Sequence, residues 1–133
     1  MGKNQMKCDL HMHSYYSDGE ESPESLVKMA KGLKCIALTD HDCVEGVSEA
    51  IEAGKKQGVE VVPAVEIRCE EFVEFLGYFI DSENAEMLKK FKQWEDRRND
   101  RAKKIIAKLK KLGMDVEKGT KKVWKENKSG FIS

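Results

Sequence analysis

Between Lys34 and Ile67 the chain reads KCIALTDHDCVEGVSEAIEAGKKQGVEVVPAVEI, and its hydrophobic period changes twice. The run from Cys35 to Leu38 is nearly all apolar and ends in the polar Thr39-Asp40-His41-Asp42, as a buried strand does. VEGVSEAIEAGKKQG then takes a helical period, closed by Gly58. VEVVPAVEIRCE returns to a strand, with Pro63 inside it as the signature of a bulge or an unpaired N–H. Strand, helix and strand in this order predict a parallel pair joined by a helical crossover.

Working outward toward the N-terminus, residues 7–13 read as another strand. Alternation puts Asp9, His11 and His13 on one face and Cys8, Leu10 and Met12 on the other. SPESLVKMAKGL follows as a helix, with Ser22 as N-cap, Pro23 in the first turn and an apolar stripe of Leu26, Met29, Ala30 and Leu33. Toward the C-terminus, EFVEFLGYFID reads as a fourth strand. A long helix is expected from about Ala85 to Leu112, ended by Gly113. Its stripe is Leu88, Phe91, Trp94, Ala102, Ile105, Leu109 and Leu112, interrupted by the polar EDRRNDR, Glu95 to Arg101. The Lys-rich tail, Met114 to Ser133, is weakly patterned, and its KVWKE reads as a helical turn or two. The order β-α-β-α-β-β places the chain in the α/β class.

The 133 residues carry 24 Lys and Arg against 24 Asp and Glu, so net charge is zero. The balance hides an asymmetry. Residues 1–83 hold 8 basic and 17 acidic side chains, a net −9, and residues 84–133 hold 16 and 7, a net +9. An acidic half attracts cations, whereas a basic half holds anions or presents a solvated face. The zero net charge and the lack of a recognised binding motif argue against a nucleic-acid binder working through the basic half. No apolar run approaches membrane-spanning length, and the first residues contain no signal segment or lipidation motif, so the expectation is a cytoplasmic protein without a membrane partner. The four cysteines form no CxxC pair. Cys8, Cys35 and Cys69 lie in strand-like runs and are expected to be small buried hydrophobes; Cys43 follows TDHD and could approach a metal.

All three histidines fall at predicted C-terminal strand ends, where ligands gather in parallel α/β sheets. His11 and His13 point the same way from one strand. His41 closes the second strand, Glu66 nearly closes the third, and Asp18 lies in the loop after the first. Mixed imidazoles and carboxylates suit Zn, Mn or Fe better than Mg or Ca. Arg97 and Arg101, four residues apart on the long helix, are candidates to bind substrate phosphate, with pairing to Asp96 and Asp100 as the rival. Tyr15 and Tyr16 could stack on a substrate base or pack over their loop.

DLHMHSYYSDG, then IALTDHD, then VVPAVEI resembles the polymerase and histidinol phosphatase (PHP) superfamily, and most of all its small metal-dependent phosphoesterases. SPESLVKMAKGL, FLGYFID and DRAKKIIAKLKKLGMDV extend the resemblance over about Lys7 to Val116. It implies the N-terminal portion of a distorted (β/α)7 barrel in residues 1–83, followed in residues 84–133 by the start of an inserted helical region. It implies His11, His13, Asp18, His41 and Glu66 as the catalytic metal ligands, with Asp9, Asp40 and Asp42 orienting them. Complete members hold two or three divalent ions, and fewer are expected here; Mg stands as the outlying choice. The substrate class implied is a phosphorylated small molecule, a nucleotide or a nucleic-acid end, cleaved by metal-activated water.

Two departures qualify the resemblance. Glu74, in VEFLGYF, stands where the family pattern HILGYF has histidine; it can still ligate. The later motifs resembling GRPHIA and Asp-x-His do not occur, and no histidine follows His41. The chain therefore reads as a truncated front part. The alternative to an enzyme is a non-catalytic metal-binding module that needs a C-terminal partner segment or an oligomer.

Overall fold

The computed structural model describes residues 7–69, 73–114 and 116. The expectations for KVWKE and the rest of the tail lie outside them. The described elements are β1 (Cys8–Met12), α1 (Pro23–Met29), β2 (Cys35–Leu38), α2 (Val47–Gln57), β3 (Glu60–Arg68), β4 (Glu74–Tyr78) and α3 (Ala85–Lys111). This is the expected mixed α/β order. The sheet runs β1-β2-β3-β4, with β1, β2 and β3 parallel and β4 returning antiparallel beside β3. Among the described residues, no helix is long and apolar enough to cross a membrane.

The sheet is curled into a half-barrel. The outer strands of a flat four-stranded sheet lie about 14 Å apart, three strand spacings. Here the hydroxyl of Tyr78 on β4 donates to the carbonyl of Leu10 on β1 at 2.9 Å. A tyrosine cannot bridge the flat distance, so the outer strands have swung toward each other.

Pro63 is not a bulge. It is the last residue of β3 paired with β2, opposite Leu38, and pairing with β4 begins at Ala64. Its missing N–H falls at that changeover. The irregularity lies instead in β1, between Asp9 and Met12, where three residues advance against two on β2. Such a bulge re-aims the side chains beside it, here Leu10 and His11.

Helix α1 starts as expected: the Ser22 side chain accepts from the Ser25 N–H at 3.0 Å, and Pro23 opens the first turn. It ends earlier, at Met29, and its buried side is centred on Val27. Met29 is 72 % exposed, so the stripe is rotated from the one drawn through it. In α2, Val47, Ala50, Ala53 and Gly54 are buried, and Gly58 caps the helix in the left-handed conformation that favours glycine. These two helices and β2 enclose one core cluster: Val27, Ala30, Ile36, Leu38, Ala50, Ala53 and Val59.

A second cluster docks α3. Phe91 is buried against Val44, Val47 and Val65, with Met87 and Trp94 packed beside it. Beyond Trp94 the helix leaves this core, and Ile105 and Leu112 are largely exposed. Asn84 caps its start, accepting from the Met87 N–H at 3.0 Å.

The cysteines differ from expectation. Cys8 and Cys35 are directly opposite in the β1–β2 ladder and are joined as a disulfide, and Cys69 is exposed rather than buried. Cys43 is buried, but its thiol donates to Glu45 Oε2 at 2.6 Å, and burial raises its pKa.

Candidate metal centre

The C-terminal ends of β1, β2 and β3 and the start of β4 meet at one edge of the half-barrel. His11 lies in β1 and His13 just beyond it. His41 follows β2 and bridges to Glu66 of β3. The antiparallel return of β4 places Glu74 opposite Arg68, on that same edge.

Glu66 Oε2 is the focus. It lies 3.1 Å from His11 Nε2, 3.2 Å from His13 Nε2 and 3.5 Å from His41 Nδ1. Asp18 forms a second meeting point, 3.4 Å from both His13 Nδ1 and His41 Nε2. Glu74 Oε1 stands 3.8 Å from His41 Nδ1. Three overlapping groups result: His11, His13 and Glu66; His13, Asp18 and His41; His41, Glu66 and Glu74, each with ligand atoms within 4.8 Å of one another.

These separations favour a shared cation over direct pairing. Charge-assisted N–H···O bonds close to about 2.7–2.9 Å. Donors held at 2.0–2.2 Å around a tetrahedral ion stand about 3.3–3.6 Å apart. The contacts of Asp18 with His13 and His41 and of Glu66 with His41 fall in that range, and His11 and His13 lie slightly closer to Glu66. Burial lowers the pKa of His13 below its ordinary 6.5, opposed by Asp18 and reinforced by His41. A lowered pKa keeps the imidazole neutral, the form that binds a metal. The hydrogen bond from the Arg68 guanidinium, at 2.8 Å, holds the Glu74 carboxyl below its ordinary range.

The carboxylates around this cluster have distinct tasks. Asp40 is buried and accepts three hydrogen bonds, each 2.7 Å long, from the Ser14 N–H, the Ser14 hydroxyl and the Ser17 hydroxyl. It thereby anchors the turn that presents Asp18. Asp42 accepts from the Arg68 N–H at 3.0 Å and pairs with Arg98. Asp9 accepts from the His11 N–H at 3.3 Å on the exposed side.

Arg97 and Arg101 are exposed on α3, and the arginine of that run that reaches the strand ends is Arg98. Its signal was present in the sequence. Position 98 is seven residues after Phe91 and four before Ala102, so it continues the apolar stripe that EDRRNDR interrupts. Nothing in the sequence marks Ser14 and Ser17; only the folded turn shows their bonds to Asp40. Tyr15 and Tyr16 are half-buried and pack on each other, ring centres 4.8 Å apart.

The PHP domain family model matches residues 9–99. The chain belongs to the PHP family. It is 36 % identical to a 5'-3' exoribonuclease of Haemophilus influenzae, over 81 % of this chain and 41 % of that protein. It is 32 % identical to a 3',5'-nucleoside bisphosphate phosphatase of Chromobacterium violaceum, over 80 % and 39 %. The crystal structure of a proposed metal-dependent phosphoesterase from Bifidobacterium adolescentis superimposes with a TM-score of 0.70 at 32 % identity, over 78 % and 38 %. The PHP chain described here thus spans about two-fifths of the length of these relatives. The partial coverage agrees with the half-barrel, and the metal dependence named for the Bifidobacterium adolescentis protein agrees with the clustered donors.

Proposed function

We propose that this PHP chain carries the metal-binding centre of a phosphoester hydrolase whose substrate is a nucleotide or nucleic-acid end phosphate. The observation that carries this reading is the convergence of six donors on one strand edge, with Glu66 common to two of the three groups. The names of the relatives support the substrate class.

A neutral imidazole bonds one ion. His11, His13 and Glu66 would therefore hold one, and His41, Glu66 and Glu74 would hold a second, so that Glu66 would serve both. Asp18 faces the other nitrogens of the same two rings, 3.4 Å from His13 Nδ1 and His41 Nε2, and would be a further donor. Three protein donors per ion leave positions open, as catalytic sites require. The mixed N and O donors favour Zn, Mn or Fe. An ion bound there supplies Lewis-acid polarisation of the phosphoryl oxygens and a water acidified toward neutral pH. The chain's own residues fix the ions: Glu66 sets their spacing, and Asp40 holds the turn of Asp18. Arg97 and Arg101, exposed and four apart on α3, are proposed to bind substrate phosphate oxygens.

The rival reading is a metal-binding module without turnover. One experiment separates the two. The chain is loaded with Mn or Zn, its metal content is measured, and hydrolysis of p-nitrophenyl phosphate and bis-p-nitrophenyl phosphate is followed. Bound metal with hydrolysis lost in His11→Ala and Glu66→Ala supports the enzyme. Bound metal without hydrolysis supports the module, and failure to retain either ion rejects both.

A further inference from the structure

Asp42 does more in the structure than lie beside His41. Its backbone has φ 46°, a left-handed conformation rare for a residue with a side chain. Its side chain is 4 % exposed. Its N–H donates to the Glu66 carbonyl at 2.8 Å, and the Glu66 N–H donates to the Asp40 carbonyl at 3.2 Å, so His41 and Glu66 are clamped by main-chain bonds on both sides. Asp42 Oδ1 then accepts from the Arg68 N–H at 3.0 Å. The carboxylate thus extends the β2–β3 pairing past the point where the backbone turns away. Arg68, gripped through its N–H, sends its guanidinium to Glu74 at 2.8 Å. The other oxygen, Oδ2, pairs with Arg98, which is half-buried and 56 residues away on α3.

We propose that Asp42 is a positioning residue for the His41, Glu66 and Glu74 ion position, and that its latch to Arg98 makes the docking of α3 part of that position. The inference rests on the reading of those three residues as ligands. It assigns them one support: Asp42 sets His41 and Glu66 through the main chain, and Glu74 through Arg68. The His11, His13 and Glu66 position shares only Glu66 with this network. Disturbing the latch therefore weakens one ion far more than the other. Linkage requires the converse as well: an ion bound at His41, Glu66 and Glu74 stabilises the docking of α3.

The test is calorimetric titration of the full chain with zinc, in wild type, Asp42→Asn, Arg98→Gln and Arg98→Lys, with amide exchange of residues 91–101 followed in parallel. Asparagine keeps an acceptor for the Arg68 N–H and loses the charge that holds Arg98. The expected result is two ions in wild type and one position weakened about 10- to 100-fold in Asp42→Asn and Arg98→Gln. Arg98→Lys, which keeps the charge, recovers part of the loss. Zinc slows exchange in residues 91–101 of wild type and has little effect there in Arg98→Gln. If Asp42→Asn does not fold, Arg98→Gln decides, because its substitution lies on α3 and leaves the β2–β3 turn intact. A latch that only supports the fold would lower the urea midpoint of the metal-free chain and leave both zinc affinities unchanged, and that result overturns the proposal. Wild type that binds no zinc rejects the ligand reading itself, and the inference with it.

Discussion

A single methyl group at position 19 would disturb the centre. A Cβ there would stand 2.1 Å from the His13 carbonyl oxygen, and that neighbour is backbone, which cannot swing aside. The Gly19 N–H also donates to the Ser14 carbonyl at 3.0 Å, closing the turn that carries Asp18. Gly19→Ala is expected to destabilise the chain by about 2 kcal/mol, within the usual range for overpacking. Urea unfolding measures it, and an unchanged midpoint would contradict the close approach. His13 gives the pH dependence. Its folded pKa lies below 6.5, so below that pH the unfolded chain binds more protons than the folded one, and stability falls as pH falls. Stability of the metal-free chain followed from pH 8 to pH 5 should decline below 6.5, and His13→Gln should flatten that decline. His11 in β1 and His13 just beyond it could be placed at one strand end from sequence, although the bulge in β1 departs from strict alternation. Ser14 and Ser17 could not, because a serine in a turn gives no sign of the carboxylate that will accept from it.

The turn after β1 is an element with almost no regular structure of its own, held by a few main-chain bonds and by the carboxylate of Asp40, just past β2. Removing that carboxylate in Asp40→Ala leaves three donors without their acceptor, two of them on a serine that is fully buried. An unsatisfied buried donor costs about 1–3 kcal/mol, and partial access to water in the loosened turn brings the expected total to about 3 kcal/mol. Thermal melting measures the loss. A parallel drop in zinc affinity is expected because Asp18 is no longer held, and a variant as stable as wild type would show that the turn has another anchor. Element boundaries were legible where caps are chemical: Ser22 and Gly58 both cap helices as the sequence suggests. Helix phase was less so. Met29 and Val27 are equally apolar in sequence, and only docking against α2 and β2 selects Val27. On α3 the charged Arg98 occupies the buried phase because Asp42 waits there, and a stripe drawn from apolar residues alone skips it. The Cys8–Cys35 pairing depends on the register between β1 and β2, which local sequence does not contain.

Across the whole molecule, the folded chain gathers charge that it would rather keep apart. Asp18, Glu66 and Glu74 meet on one strand edge in a front half of net −9, with imidazoles between them and the Arg68 guanidinium on Glu74 alone. Like charges brought together oppose folding unless a cation joins them, so the proposed ions should act as part of the fold. An ion that binds only the folded chain adds about 2.7 kcal/mol at a free concentration 100 times its dissociation constant. Two such positions sharing Glu66 give a stabilisation that grows with ion concentration and is removed by chelation. Melting in the presence of EDTA, then with increasing Mn or Zn, should show the midpoint rising steadily with ion. His11→Ala should remove part of that rise by weakening one position. Glu66→Ala should remove nearly all of it, because its carboxylate serves both. The two variants differ in this way only if Glu66 is shared; equal losses in both would mean that the ions do not bridge, and that each strand end binds its cation alone.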